Sequence, residues 1–451
     1  MAGKLLIGLM LWLTLTGIIF ANDISVTVYN NNLGVVHETR SLEFTKGLGK
    51  LSFKDVPSSI DATSVGFKIA DPKKSAVILE QNYAYDLVSS SKIYAKYIDK
   101  NIDLFDKDGN AFIGQLLSYG DNSFVIKDNI GGIKVIRADQ IVNANFPDLP
   151  DGLITRPTLF WLYNSDFTGS AKCEVSYQTS GIDWSAEYVG ILSEDEKTLN
   201  LTGWSSINNR SGATYTDAKL KLVAGDINRA QKPIARRGVY EMDLMAAKAP
   251  AQTFEEKEFF EYHLYTLPRK TTLADNEIKQ IALFDPSTAG VEKKYYYQPN
   301  INNEKVKVAI EFKNSKTNGL GMPLPAGRTR LFKADSDGSM ILLGEDRIEH
   351  TPKDEDVKIT VGYAFDIASK ETATDYQKIS NRIDEQTFEI ELRNHKSEDV
   401  NIIVEKNLYG DWEIAKANHD YNKKDVNTLE FKVAVGANET KTINFTVRTT
   451  R

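Results

Sequence analysis

The chain has 451 residues and carries 55 Lys and Arg against 62 Asp and Glu, which gives a formal net charge of -7 at pH 7. This mildly acidic balance argues against general binding to nucleic acids or anionic membrane surfaces, because both repel an acidic protein. A single cysteine, Cys173, excludes an intrachain disulfide, and the length is sufficient for several domains whose cores need no crosslinks.

The first 21 residues have the layout of a secretory signal peptide. Lys4 precedes an apolar run from Leu5 to Phe20, and Ala21 occupies the expected cleavage position. Cleavage would remove the charge of Lys4 and change the net charge from -7 to -8. The alternative is a retained anchor, because the run is only a little shorter than the ~20 residues that span a bilayer. We expect an exported, periplasmic or extracellular chain with no integral membrane span after cleavage.

Apolar and polar residues alternate along most of the mature chain, which is typical of half-buried β-strands. The clearest cases are residues 24–28, 306–312, 388–392, 429–435 and 443–447. Polar outer faces favour antiparallel sheets over parallel ones. The pattern predicts a mainly β fold made of antiparallel β-sandwich domains.

Three regions follow the leader. Residues 22–92 form an N-terminal region of strands and turns. In residues 93–147, four short strand patterns (101–105, 112–118, 124–128 and 133–136) are separated by tight-turn sequences, which indicates a small inserted β-barrel-like module. Residues 158–451 have longer strand patterns and predict a β-sandwich region.

The third region is interrupted at residues 229–261, where no strand pattern continues. Basic residues are followed by an Ala-rich run and then by four glutamates, Glu255, Glu256, Glu258 and Glu261. We interpret this segment as a mobile loop or, alternatively, as a partner-binding segment. Helical signal is scarce, and the candidates are residues 254–265 and 375–383.

Several sequence blocks in the third region resemble one bacterial family. They comprise residues 175–188 with 204–212 and 223–226, residues 261–265 with 272–273 and 279–281, and the glycine- and proline-rich block 319–327 followed by 335–338, 344–346 and 362–366. On these blocks the chain resembles the proteins of the domain of unknown function 4139, sometimes called mucoidy-inhibitor-like. The resemblance covers most of residues 170–451 and implies no reaction. Some relatives carry a coiled coil where this chain has its small insert, so the role of that coiled coil is not transferred to this chain.

The same blocks also have structural interpretations. Trp184 and Tyr188 are large aromatic residues in a strand pattern, which favours a place in the core over a ligand platform. Pro323 and Pro325 cannot donate hydrogen bonds to a sheet, so they suit an irregular loop or a sheet edge. Cys173 alternates with polar neighbours and is expected to be a small buried residue rather than a reactive thiol.

Catalytic and metal-binding patterns are weak throughout the chain. The histidines His37, His263, His350, His395 and His419 are scattered without zinc spacing. Residues 106–110 and 335–338 resemble fragments of calcium loops, but Asp-Gly is also a strong turn signal. Residues 89–92 read Ser-x-x-Lys without the companion motifs of penicillin-recognising enzymes. We therefore predict no catalytic, metal-binding or cofactor-binding residues.

Two functions remain open. The first is an exported, non-catalytic protein of the cell envelope with a structural or protein-binding role. The alternative is a carbohydrate-binding or carbohydrate-active protein, which exposed aromatic rings at Tyr295, Tyr296, Tyr297 or Trp412 would favour and their burial would disfavour. The expected partner is an envelope protein or a surface polysaccharide, and not a nucleic acid.

Overall fold

A computed structural model describes residues 23–85, 88–148, 154–225, 227–228 and 254–450. The predicted signal peptide and residues 229–253 of the predicted loop therefore lie outside the described residues. In these described ranges, no helix has both the length and the apolar character that crossing a bilayer requires.

The described chain is mainly β, as predicted. The first half contains β1 (Asp23–Tyr29), β2 (Leu33–Phe44), β3 (Gly47–Lys54), β4 (Ile60–Ile69), β5 (Ala76–Ala84), β6 (Asn101–Asp106), β7 (Ala111–Gly120), β8 (Ser123–Asp128), β9 (Ile133–Arg137), β10 (Ile141–Asn145), β11 (Thr158–Ser165), β12 (Gly169–Thr179), β13 (Ile182–Leu192), β14 (Thr198–Asn209) and β15 (Tyr215–Ala224). The second half contains β16 (Glu255–Phe259), β17 (Tyr262–Thr266), β18 (Thr271–Leu273), β19 (Glu277–Gly290), β20 (Glu292–Tyr297), β21 (Lys305–Lys313), β22 (Gly327–Ala334), β23 (Met340–Ile348), β24 (Asp356–Lys378), β25 (Ile383–Asn394), β26 (Val400–Asn407), β27 (Asp411–Ala417), β28 (Asn422–Asp425), β29 (Thr428–Val435) and β30 (Thr440–Thr450). The helices are short: α1 (Ser90–Lys96), α2 (Pro299–Asn302) and 3-10 turns at Ala138–Gln140 and Lys316–Asn318.

The strands form several sheets, and none of those in the described residues closes into a barrel. The eight-stranded sheet has the order β16-β17-β15-β1-β2-β12-β4, with β18 beside β15. The three-stranded sheet is β3-β11-β5, and the central five-stranded sheet is β19-β14-β13-β22-β23. The nine-stranded sheet has the order β27-β30-β25-β24-β21-β20-β26-β29-β28. Strands from the N-terminal region thus pair directly with strands of the third region.

Among the thirty strands given above, pairing is antiparallel except at three places. The parallel pairs are β1 with β15, β13 with β22, and β20 with β26. The members of each pair are far apart in the sequence, as parallel pairing requires, because a parallel partner can be reached only by a long crossover. Alternating polarity alone predicted antiparallel sheets and did not indicate these crossovers.

The inserted sheet contains the four short strands predicted in the module, together with β10. Its order is β10-β6-β7-β8-β9, so β9 and β10 are open edges and the sheet is not a barrel. Leu104, Leu116 and Phe124 are buried in its core. Ser89, the first residue of the Ser-x-x-Lys pattern, has a structural role here: its hydroxyl accepts a hydrogen bond from Lys92 N at 3.4 Å and caps α1.

The two helix candidates are wrong. Residues 254–265 contain the hairpin of β16 and β17, which turns at Phe260 with a positive φ of 58°. Residues 375–383 cover the end of β24 and the first residue of β25. In both cases pairing with a neighbouring strand outweighs the local sequence preference. The predicted loop 229–261 is also wrong at its end, because Glu255–Phe259 is the strand β16.

Two large cores stabilise this arrangement. The first core lies among the eight-stranded, three-stranded and central sheets, includes Phe312 and Ile359 from one end of β21 and β24, and buries Trp161, Trp184 and Tyr188. The second core belongs to the nine-stranded sheet, in which Phe431 of β29 and Phe445 of β30 pack with ring centroids 5.2 Å apart. These strands lie near opposite ends of the strand order, so the sheet curls until its two ends pack face to face.

Candidate functional site

Three buried aromatic residues of the first core donate hydrogen bonds from their polar ends to backbone carbonyls. Trp184 Nε1 donates to the carbonyl of Val223 at 3.0 Å, and the Tyr188 hydroxyl donates to the carbonyl of Pro325 at 2.7 Å. The Tyr265 hydroxyl on β17 donates to the carbonyl of Pro323 at 3.1 Å. Buried tyrosine and tryptophan generally find such partners, because an unpaired polar group in a core is costly. The bonds of Tyr188 and Tyr265 fix the loop at residues 319–327 against β13 and β17.

Glycine is needed in this loop because other backbones approach closely. Gly319 has a φ of +81°, and a Cβ at this position would lie 2.1 Å from the carbonyl oxygen of Thr288. At Gly327 a Cβ would lie 2.2 Å from the carbonyl oxygen of Ala186, its neighbour in the parallel β13–β22 pair. A side chain would displace the loop at either position.

Asn314 connects the loop to the segment that precedes β24. Its side chain is fully buried, and its Nδ2 donates to the carbonyls of Met322 at 2.7 Å and Pro352 at 2.9 Å. Its Oδ1 accepts from Gly321 N at 3.0 Å. One amide side chain thus satisfies three backbone groups that belong to no strand.

These loops and β17 surround a small cavity of about 150 Å³. The lining residues are Ala224, Gly225, Glu261, His263, Tyr265, Pro323, Leu324, Pro325, His350, Thr351 and Pro352. Tyr265 and Leu324 are buried and form apolar walls, whereas Glu261 and His350 are exposed at the rim. A cavity of this volume can hold a small organic group or a few water molecules.

The register of the β16–β17 hairpin places carboxylates on the cavity face. Glu256 lies opposite Tyr265, and Glu258 lies opposite His263. Residues directly opposite in an antiparallel pair share a face of the sheet. His263 Nδ1 and Glu256 Oε1 are 2.8 Å apart, which confirms that these two side chains meet.

The hydroxyl and imidazole groups at the cavity already have structural partners. Burial raises the pKa of Tyr265 and of Tyr188 well above the usual tyrosine value, so both remain protonated donors and neither serves as a general base. The Thr351 hydroxyl donates to the carbonyl of Glu349 at 2.9 Å, and His350 Nδ1 accepts from Ala326 N at 3.1 Å. This arrangement suits holding a ligand better than activating a nucleophile.

The other three histidines are not grouped with His263 and His350 at the cavity. His37 lies on β2, His395 follows β25, and His419 contacts Asn418, with its Nδ1 2.8 Å from Asn418 Oδ1. Within the described ranges no three histidine, cysteine, aspartate or glutamate residues are grouped so as to hold a metal ion.

The two calcium-loop fragments form hairpin turns. Asp106 Oδ1 accepts from the backbone N–H groups of Asp108 and Asn110 between β6 and β7. In the turn between β22 and β23, Asp335 Oδ1 accepts from Ser336 N at 2.7 Å and Asp337 Oδ1 accepts from Ser339 N at 2.8 Å. The carboxylates at both turns therefore stabilise the backbone.

The aromatic residues proposed as sugar platforms are buried. Tyr295, Tyr296, Tyr297 and Trp412 are each 7% exposed or less. Tyr295 and Tyr297 pack in the second core, whereas Tyr296 donates to Glu311 on the other face of β20. None of these rings offers a free face to a sugar.

Cys173 lies in a small cluster with Phe44 and Tyr163 and is fully buried, as predicted. Burial raises the pKa of its thiol to about 11, so it is not a reactive thiolate at neutral pH. Trp184 and Tyr188 are core residues, also as predicted.

Sequence reasoning did not find the cavity itself. Its lining comes from four separate segments, near residues 224, 263, 324 and 351. The available signal was indirect: residues 261–265 and 319–327 were both singled out as family blocks, and the hydrogen bond from Tyr265 to Pro323 now joins them.

The architecture defines a mainly β protein of several sheets in which loops from separate segments line a small cavity. The family model described as Domain of unknown function (DUF4139) matches residues 173–450, and the chain belongs to that family. All four lining segments lie within the matched residues. No match was found among the curated proteins.

Proposed function

We propose that this protein is exported and acts without catalysis by binding another protein of the cell envelope. The binding surface is the face of the β16–β17 hairpin and the cavity beside it. The leader sequence supports export, because its charged start, apolar run and small cleavage residue have the layout of a signal peptide.

The observation that carries the binding role is the position of the cavity beside an exposed aromatic tip. Phe259 and Phe260, at the turn of the hairpin, are 58% and 86% exposed. Aromatic residues that project beside a small apolar cavity are typical of protein interfaces, where they serve as anchors. The polar groups of the cavity hold loops in place, which supports a preformed docking site.

Photo-crosslinking in intact cells tests this role. Phe260 would be replaced by a photoreactive benzoyl-phenylalanine, and Phe365, which is 99% exposed on β24, would be replaced in the same way as the matched position. We expect a discrete protein adduct from position 260 and none from position 365. Adducts from position 365 alone would contradict this choice of surface.

Export is tested separately by fractionation and mass spectrometry of the N-terminus. We expect a mature chain beginning at Asn22 in the periplasmic or secreted fraction. An intact chain beginning at Met1 in the cytoplasm would contradict the proposal.

A carbohydrate-binding role is the second candidate, and it now depends on different aromatic residues. Tyr363 and Phe365 are 53% and 99% exposed and, two positions apart on β24, share a face of the strand. The ring of Phe365 is available for stacking on a sugar, whereas Lys305 Nζ lies over the Tyr363 ring at 5.5 Å from its centre. Retention on a polysaccharide panel that is lost in Phe365→Ala and kept in Phe260→Ala would favour this candidate over protein binding.

A further inference from the structure

We infer that the partner presents an extended, basic segment, which adds as a strand along the outer edge of β16 and pairs its cationic side chains with Glu258 and Glu261. This inference rests on the proposed protein-binding function. It depends on three features of the described residues: an open strand edge, an uneven distribution of charge, and the apolar walls of the cavity.

The first feature is the edge. β16 ends the eight-stranded sheet and pairs only with β17 in the described part of the chain. All five of its residues are exposed. Its outward N–H and C=O groups can therefore form ladder hydrogen bonds with an incoming strand, which is a recurring way in which proteins bind extended peptides.

The second feature is the charge. Glu256 and Glu258 lie on the cavity face of β16, and Glu261 follows at the turn. The single lysine of the strand, Lys257, lies opposite Leu264 on the other face. Lys353, the residue after the cavity-lining Pro352, is already paired with Asp354 at 3.5 Å. An incoming strand on this side therefore meets carboxylates and favours Lys or Arg.

The third feature is the cavity. Tyr265, Leu324 and Pro325 form apolar walls next to the exposed carboxylate of Glu261. Long cationic side chains suit such a surface, because their aliphatic stems pack on apolar groups while their charged ends remain near carboxylates and water.

The glutamates of β16 disfavour binding of other molecules at its outer edge. A second copy of the chain would place the three glutamates of one β16 beside those of the other, and like charges on adjacent strands are destabilising. An anionic polysaccharide would be repelled in the same way.

Three synthetic peptides of one length test the inference by isothermal titration calorimetry on the full-length mature protein. The basic probe is acetyl-Arg-Val-Arg-Val-Arg-amide, and the acidic control has glutamate in place of arginine. The third peptide is the basic probe with alternate backbone nitrogens methylated, which removes ladder hydrogen bonds and keeps the charges. We expect the basic probe to bind at least about tenfold more tightly than either control, because charge and backbone pairing both contribute.

Two variants locate the site. Glu258→Gln with Glu261→Gln should weaken binding of the basic probe about threefold to tenfold, which is the usual range for two exposed charge pairs. Glu80→Gln, on the exposed strand β5, is the matched control and should leave binding unchanged. Circular dichroism would establish that each variant is folded.

The outcomes separate this inference from the proposed function. Equal binding of the acidic and basic probes, or equal loss in Glu80→Gln, would overturn the inference. A concentration-dependent dimer that the double variant strengthens would also overturn it, because a second copy would then occupy the edge. If these results came with a protein adduct from position 260, only the nature of the partner segment would be wrong; if position 260 also gave no adduct, the proposed function would be wrong as well.

Discussion

The first and second cores of this protein differ in which parts of the chain their buried polar groups hold. In the first core Tyr188 and Tyr265 donate hydrogen bonds to the loop carbonyls of Pro325 and Pro323, and Trp184 donates to the carbonyl of Val223 on β15. In the second core Phe445 packs between Phe388 at 5.4 Å and Phe431 at 5.2 Å, and Trp412 donates to the carbonyl of Val426, which does not line the cavity.

Buried side chains thus have two separate effects, which are to stabilise a sheet and to fix the position of a loop. Burial of phenylalanine stabilises a sheet but sets no loop position, since its ring has no hydrogen-bonding group. A buried tyrosine contributes similar apolar area and also fixes the carbonyl that it contacts. We therefore expect changes in the second core to affect stability alone and changes in the first core to affect the cavity as well.

The largest expected effect is on stability, from a change in the second core. Phe445→Ala should lower the free energy of unfolding by about 3–5 kcal/mol, because it removes a fully buried ring and leaves a cavity. Chemical denaturation measures this loss. Crosslinking from position 260 in the folded protein should be unchanged, and a drop in it would show that the two cores are not separate in function.

Two buried asparagines give a matched comparison of the cores. Asn394 donates to the carbonyls of Glu398 and Gly436 and accepts from Lys396 N in the nine-stranded sheet, as Asn314 does for its loops beside the cavity. Substitution of either by alanine should cost about 1–3 kcal/mol for each buried backbone group left unpaired.

The two asparagine variants should differ at the cavity. Asn314→Ala should speed amide hydrogen exchange in residues 319–327 and weaken crosslinking from position 260. Asn394→Ala should do neither at a similar loss of stability. Equal exchange in residues 319–327 in both variants would contradict the assignment of Asn314 to the cavity.

A smaller effect is expected when a single hydrogen bond is removed from each core. Tyr188→Phe leaves the carbonyl of Pro325 unpaired and should cost about 1–2 kcal/mol. The matched change is Tyr297→Phe in the second core, where the tyrosine is similarly buried and its hydroxyl shares a hydrogen bond with the side chain of Ser369. Faster amide exchange at Ala326 in Tyr188→Phe alone would support the assignment of the cavity loop to the first core. Equally fast exchange at Ala326 in both variants would contradict it.

Much of the fold could be predicted because many strands are specified by local sequence patterns. Alternation located β21, β25, β29 and β30, and turn sequences located the four strands of the inserted sheet. The hairpin of β16 and β17 could not be found in this way, since the sequence Glu-Glu-Lys-Glu-Phe has no apolar alternation and becomes a strand only through pairing with β17.

Long-range pairing explains the other differences. The parallel contact of β13 with β22 joins residues more than a hundred positions apart, and periodicity contains no information on such a crossover. The cavity could not be predicted for the same reason. The contact between Tyr265 and the carbonyl of Pro323 forms only when two distant chain segments come together. Residue types at the site were recognisable, but their convergence was not.

The smallest predicted effect concerns the inserted sheet, which has its own core and whose turns depend on carboxylates. A backbone hydrogen bond from Gly132 is the main factor that lowers the pKa of Asp128.

A carboxyl group with a lowered pKa in the folded state stabilises the fold above its unfolded pKa, and this contribution is lost as the pH falls through the lowered value. The protection of the Gly132 amide, measured as its exchange rate relative to the intrinsic rate at the same pH, should therefore fall as the pH drops through the lowered pKa of Asp128. Asp128→Asn should exchange faster at neutral pH and lose this acid dependence, since no carboxylate remains to be protonated. An unchanged acid profile in Asp128→Asn would assign the effect to another group and leave the turn independent of Asp128.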